Sequence, residues 1–192
     1  MSPRRCHLIE RLAGIAVLCC FHAVVPSQIR AQTSPYTPYQ LKALYLHNFA
    51  KYTEWPKEVL GDENAPFVLG ILGKDPFGKA IEIIEGKAIK GRKLVVKRFA
   101  NVQDVKDCHL LFICSSETDR LPQTLKALEK SSILTIAEVE GFLQQSGMIN
   151  LVAEQKTAGS QSVSFEINRA AAEKANLKLD TQLLKLAKRV KS

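Results

Sequence analysis

PFVLGIL, Pro66 to Leu72, is a continuous apolar run that stops at Gly73. A run this short with no polar alternation reads as a strand covered on both faces, as in a parallel sheet. Asp75-Pro76 follows and predicts a capped helix through about Ile84. Lys93 to Phe99 (KLVVKRF) reads as a second strand and His109 to Cys114 as a third. Leu121 to Lys130 reads as a helix, and Ile133 to Ala137 (ILTIA) as a fourth strand. That rhythm implies an α/β fold with a largely parallel sheet flanked by helices and joined by right-handed crossovers. The ending differs. Gly147 to Glu154 and Ser162 to Ile167 flank a turn-like KTAGSQ segment and predict a C-terminal antiparallel β-hairpin. Two closing helices are expected, Arg169 to Ala175 and Asp180 to Val190. In the last, Leu183, Leu186, Ala187 and Val190 fall on the core side, with Gln182, Lys185 and Arg189 outward.

Upstream of the first strand, LKALYLHNFAKYTEWP (Leu41 to Pro56) has helical spacing. Leu41, Tyr45, Asn48, Tyr52 and Trp55 recur at four and three residues, with Leu44, Leu46 and Phe49 widening the apolar surface. Thr37, Pro38 and Gln40 make a Thr-x-x-Gln capping box with proline at the first helical position. Pro56 disfavours helical geometry at Trp55 and ends the run. Tyr45 and Trp55 are expected as core anchors under the sheet.

The first 31 residues have the layout of a secretory signal peptide: Arg4, Arg5 and Arg11, an apolar run from Leu12 to Phe21, and Ala31 at a plausible cleavage point. The apolar run is short for a membrane span. The expectation is a cleaved segment 1–31 and one exported domain over residues 32–192, with room for a real core.

Formal net charge is +8. Residues 32–166 carry 16 basic and 16 acidic side chains and are neutral. The later residues hold Arg169, Lys174, Lys178, Lys185, Lys188, Arg189 and Lys191 against Glu173 and Asp180. A solvated pair of helices is the plain reading, and a face for an acidic partner or anionic headgroups is the functional one. No basic-aromatic stripe supports nucleic acid. Cys108 and Cys114 lie on one expected strand, about 20 Å apart at its ends, too far for a mutual disulfide. His47 and His109 add too little for a zinc site, so no metal or other cofactor is expected.

Gly73 to Ala80 (GKDPFGKA) nearly matches a phosphate-binding loop, but Ala80 replaces the magnesium-binding hydroxyl and Pro76 removes an N–H. Neither a nucleophile elbow nor a histidine-based metal motif is present, and no enzyme is expected. Ligands of open α/β sheets bind beyond the carboxyl ends of the strands, where Gly73, Ser115, Ser116 and Glu138 converge as a candidate small-molecule pocket.

Three segments together resemble a known family. KALYLHNFAKYTEWP with ILGKDPFG, then CHLLFICSSE, then GMINL and SFEIN, closed by LDTQLLKLAKRV, are similar in order and spacing to the YfiR family of bacterial periplasmic proteins. The resemblance implies a regulator that binds the periplasmic sensory domain of a membrane-bound diguanylate cyclase and represses it. It also implies a homodimer and structurally important disulfides, from which a chain with two cysteines on one strand departs. The candidate contact residues are Lys185, Lys188 and Arg189, with Glu166 and Gln182 beside them. The alternative is a periplasmic small-molecule sensor serving a histidine kinase or transporter.

Overall fold

The computed structural model describes residues 35–155 and 161–191. The expected signal segment and most of the KTAGSQ turn lie outside these residues. The elements in chain order are α1 (Pro38–Lys51), β1 (Thr53–Glu54), α2 (Lys57–Leu60), β2 (Phe67–Leu72), β3 (Ala88–Ile89), β4 (Arg92–Phe99) and β5 (Leu110–Ile113). They continue with α3 (Leu121–Leu128), β6 (Leu134–Ala137), β7 (Ile149–Gln155), β8 (Gln161–Asn168), α4 (Arg169–Lys174), β9 (Lys178–Leu179), α5 (Thr181–Leu186) and β10 (Arg189–Lys191).

Eight strands form one sheet in the order β10-β8-β7-β6-β5-β2-β4-β3. The strands β4, β2, β5, β6 and β7 are mutually parallel. β7 and β8 form the antiparallel hairpin, with Ile149 opposite Ile167 and Leu151 opposite Phe165. Every residue of β2, β5 and β6 is buried, as the apolar runs require. One face carries α1 and the closing helices over Leu46, Phe49, Phe67, Leu69, Phe112 and Phe165. The other carries α3 over Leu72, Leu111, Leu121, Phe142 and Leu143.

The capping box of α1 is complete: Gln40 N–H donates to Thr37 Oγ1 at 3.2 Å and Thr37 N–H to Gln40 Oε1 at 2.9 Å. Tyr45 packs against Phe49 and Phe165, and its hydroxyl donates to Val163 O at 2.9 Å. After the helix, Thr53–Glu54 pairs with Lys178–Leu179 in a separate two-stranded ladder. Trp55 then turns inward, with its ring edge-on to Phe67 at 5.1 Å.

The indole N–H of Trp55 donates to His109 O at 3.1 Å, and Leu134 N–H donates to the same oxygen at 2.9 Å. His109 N–H donates to Val68 O at 3.0 Å, and Val68 N–H donates back to the imidazole Nδ1 at 3.0 Å. An Nδ1 that accepts is unprotonated, so the ring proton sits on Nε2, where it meets Val59 O at 3.2 Å. The ring is also stacked on Phe67. The strand HLLFIC is therefore tied at its first residue to β2, β6, Trp55 and α2.

Two expectations about local structure are corrected. The segment after Asp75-Pro76 is a 3-10 helix, Gly78–Ile83, and not an α-helix through Ile84. Gly78 has φ +50 and breaks the helical start, leaving single tight turns that bury Ile81 and Ile84. The last expected helix ends at Leu186, where Ala187 becomes extended. Lys188 N–H donates to Phe165 O at 2.8 Å, and Arg189, Val190 and Lys191 pair in parallel with Glu166, Ile167 and Asn168. The open edge of β8 offers backbone bonds that outcompete one more helical turn. Leu186 is accordingly 74% exposed and Val190 38%, not core residues.

Gly147 is needed for space. A Cβ there would lie 2.4 Å from the ring of Phe142, which is fully buried. Gly147→Ala should lower stability by about 1–3 kcal/mol through overpacking, measured by urea unfolding; an unchanged midpoint contradicts this packing. Burial lowers the pKa of His109 below its ordinary value, and burial with the nearby Lys87 lowers that of His47. The unfolded chain then binds more protons than the folded one below pH ~6.5, so stability falls as pH falls through that value. The urea midpoint should drop between pH 7.5 and pH 5, and His109→Gln should make the drop smaller. A slope unaffected by that substitution would exclude His109 as a contributor.

Candidate functional site

The strand order places the point where the chain reverses its direction of growth between β2 and β5. Gly73 follows β2 and Ser115 follows β5, and the structure brings Gly73 against Ser116. Gly73 has φ +92, and a Cβ there would be 2.4 Å from Ser116 Oγ and 2.8 Å from Glu117 Oε1. Both the backbone and the neighbours therefore demand glycine. Lys74 N–H donates to Ser116 Oγ at 2.9 Å, so the strand-to-helix turn is sewn to the end of β5. Asp75 accepts from Phe77 N–H at 2.7 Å and pairs with Arg98 at 2.8 Å. The sequence that mimics a phosphate loop is a turn whose polar groups bind one another.

Glu117 is 4% exposed and its Oε1 is held by Arg120 at 2.9 Å. Ser115 is exposed, with its carbonyl accepting from the Thr118 hydroxyl. Glu138, after β6, is engaged elsewhere, by Lys42 of α1 at 2.5 Å. Lys42 also lies 4.5 Å over the Tyr39 ring. The four candidate pocket residues thus divide into a Gly73–Ser116 contact, the exposed Ser115 beside it, and Glu138 in an ion pair that ties α1 to the sheet.

At the far edge of the sheet, β10 carries the basic residues. Arg189 pairs with Glu166 at 2.8 Å, since the parallel register sets these two residues side by side. Lys185 and Gln182 lie exposed on α5, whose cap is Asp180, accepting from Gln182 N–H at 2.7 Å. Lys188 is exposed between α5 and β10. The five residues named from the sequence therefore lie on α5, on β10, on the link between them and on β8 beside them.

A third feature was not visible in the sequence. A groove of about 580 Å³ opens between α3 and α4, at the amino-terminal ends of β6 and β7. Leu125, Leu128 and Met148 line it together with Ala171 and Ala175, and Lys126, Lys174 and Lys191 stand in its walls. It joins residues more than sixty positions apart, and no spacing rule links them. The only sequence signal is the run of alanines at the start of α4.

Both ring nitrogens of His109 are held by backbone groups. Cys108 and Cys114 are free and buried, and burial pushes each thiol up to about 12, so neither is a ready nucleophile. Among the described residues, no group of three or more His, Cys, Asp or Glu side chains could hold a metal ion. No helix among them is long and apolar enough to cross a membrane.

Comparison with known proteins gives a fold and a family. A conserved domain protein from Vibrio cholerae O1 biovar eltor, solved by crystallography, superposes with a TM-score of 0.51 at 13% identity. The match covers 81% of this chain and only 60% of that one, and at this identity the likeness is one of fold. No curated protein matches the sequence. A family model described as YfiR/HmsC-like matches residues 39–188, from the first turn of α1 to the threshold of β10, and the chain belongs to that family.

Proposed function

We propose that this protein is an exported periplasmic regulator that binds the periplasmic sensory domain of an inner-membrane diguanylate cyclase and holds the cyclase inactive. Family membership carries this reading, because YfiR/HmsC-like proteins act as periplasmic regulators of diguanylate cyclase signalling. In the same reading, residues 1–31 are a signal peptide removed on export, and residues 32–192 are the regulatory domain.

Repression by binding requires a surface that distinguishes two states of the partner. The segment from α5 to β10 is our candidate. As the last strand in the sheet order, β10 has one edge with no strand paired to it among the described residues, and a short extended segment of a partner can add there by backbone hydrogen bonds. Lys185, Lys188 and Arg189 surround that edge with positive charge, and Leu186 offers an apolar contact at 74% exposure. Gln182 and Glu166 flank it. An acidic segment of the cyclase's periplasmic domain is the complementary partner.

The Arg189–Glu166 pair decides how this is tested. Reversing Arg189 would set two carboxylates side by side and loosen β10 itself, whereas Arg189→Gln keeps a hydrogen-bond donor for Glu166. The double variant Lys185→Glu, Arg189→Gln should raise the dissociation constant for the cyclase's periplasmic domain roughly tenfold at low salt, with an unchanged melting temperature. Equal affinity of the variant and the parent at low ionic strength would exclude this surface.

A further inference from the structure

The groove between α3 and α4 exists because the sheet parts there. β6 and β7 pair only at Ile136 with Ile149 and Ala137 with Asn150. One residue upstream the ladder is replaced by a side chain: Met148 N–H donates to Thr135 Oγ1 at 3.3 Å. Thr135 is 2% exposed and lines the groove, and among the described residues its own O–H has no acceptor. Asn168, also buried in the lining, fixes the other wall. Its amide donates to Leu143 O at 3.0 Å and its carbonyl accepts from Ala171 N–H at 3.1 Å, which sets the start of α4.

The lining is amphipathic. Leu125, Leu128 and Met148 give an apolar floor, and the short side chains of α4 leave it uncovered. Three cations from three elements stand around it: Lys126 of α3, Lys174 of α4 and Lys191 of β10. The one carboxylate in the lining, Glu129, is paired with Lys174 at 2.5 Å. Lys126 has no ion-pair partner among the described residues, and Lys191 reaches only a backbone carbonyl, Leu143 O at 3.5 Å. Glu129 lies near Lys126 as well as Lys174, so three lysines share one carboxylate and the lining keeps a net positive charge beside a half-open apolar floor. The volume lies within the roughly 300–1,000 Å³ of small-molecule sites.

We infer that this groove binds an amphipathic anion, an aliphatic body ending in a carboxylate or phosphate, with the body on Leu125, Leu128 and Met148 and the anion between Lys126 and Lys191. The Thr135 hydroxyl donates to an acceptor near the head. A purely polar anion would leave the apolar floor wet, and a neutral apolar molecule would leave both lysines unanswered. The inference does not rest on the partner-binding reading, although Lys191 belongs to the strand invoked there.

Calorimetric titration of the purified protein with decanoate and with decanol tests it. Decanoate should bind saturably, and decanol should bind roughly tenfold more weakly. Ala170→Trp, at an exposed position in the lining, should abolish binding by filling the groove. Lys126→Glu should weaken decanoate about tenfold, and the salt dependence should shrink with it. Circular dichroism of both variants establishes that they are folded. A second arm, co-sedimentation with phosphatidylglycerol vesicles, separates the sources. Vesicle binding lost in both variants identifies a membrane lipid as the occupant, and decanoate binding without vesicle binding identifies a free amphiphile. Absence of saturable decanoate binding, equal affinity for decanol, or indifference to both substitutions would overturn the inference.

Discussion

Five hydrogen bonds converge on His109, and the arrangement of the sheet depends on them. Its backbone N–H and imidazole Nδ1 answer the carbonyl and N–H of Val68 in β2, and its carbonyl takes both Leu134 N–H of β6 and the Trp55 indole. Its remaining ring nitrogen meets Val59 O. One residue thus sets the mutual positions of the three central strands and pins the segment after α1 to them. The cost of burying an imidazole is offset only while it stays neutral and each polar atom keeps its partner. That explains why a histidine at the start of an otherwise apolar strand belongs to the framework and not to a reaction centre. The helix ends earlier than the Trp55-Pro56 step suggested, at Lys51, and the short strand Thr53–Glu54 carries the chain to where the Trp55 indole reaches the His109 carbonyl.

With the centre so fixed, variation is left to the ends of the sheet. At the carboxyl ends of β2 and β5, where α/β proteins commonly hold ligands, Gly73 sits tightly against Ser116 and Glu117. The amino-terminal ends of β6 and β7 open instead, and the chain's basic excess gathers around that end and the adjoining edge. α4 contributes Lys174 to the groove, β10 contributes Lys191 to the groove and Arg189 to the edge, and α5 contributes Lys185. A single strand of three residues therefore connects the two surfaces on which function is proposed.

Much of this was legible in the sequence, for identifiable reasons. Buried parallel strands leave uninterrupted apolar runs, so β2, β5 and β6 declared themselves in PFVLGIL, HLLFIC and ILTIA. The capping box of α1 is a local motif and was found as such. What failed depended on non-local competition. The period of Leu183, Leu186, Ala187 and Val190 is helical, yet the free edge of β8 captures residues 189–191 as a strand, and no local pattern encodes that edge. Gly78 looked like part of a helix start, but it takes a positive φ, and a 3-10 segment follows in place of the α-helix. Gly73, Ser115, Ser116 and Glu138 follow strand ends, but Glu138 is drawn to Lys42 and Gly73 packs against Ser116 and Glu117, contacts that topology alone does not bring in. The groove was invisible because it arises where two strands diverge.

On the function proposed above, the α5–β10 edge is the face presented to a membrane cyclase, while the His109-centred framework stays fixed. Amide hydrogen exchange with and without the cyclase's periplasmic domain addresses it most directly. New protection is expected at residues 185–191, with the amides of β2, β5 and β6 slow and unchanged in both states. Protection confined to the Gly73–Glu117 end of the sheet, with residues 185–191 exchanging as in the free protein, would contradict it.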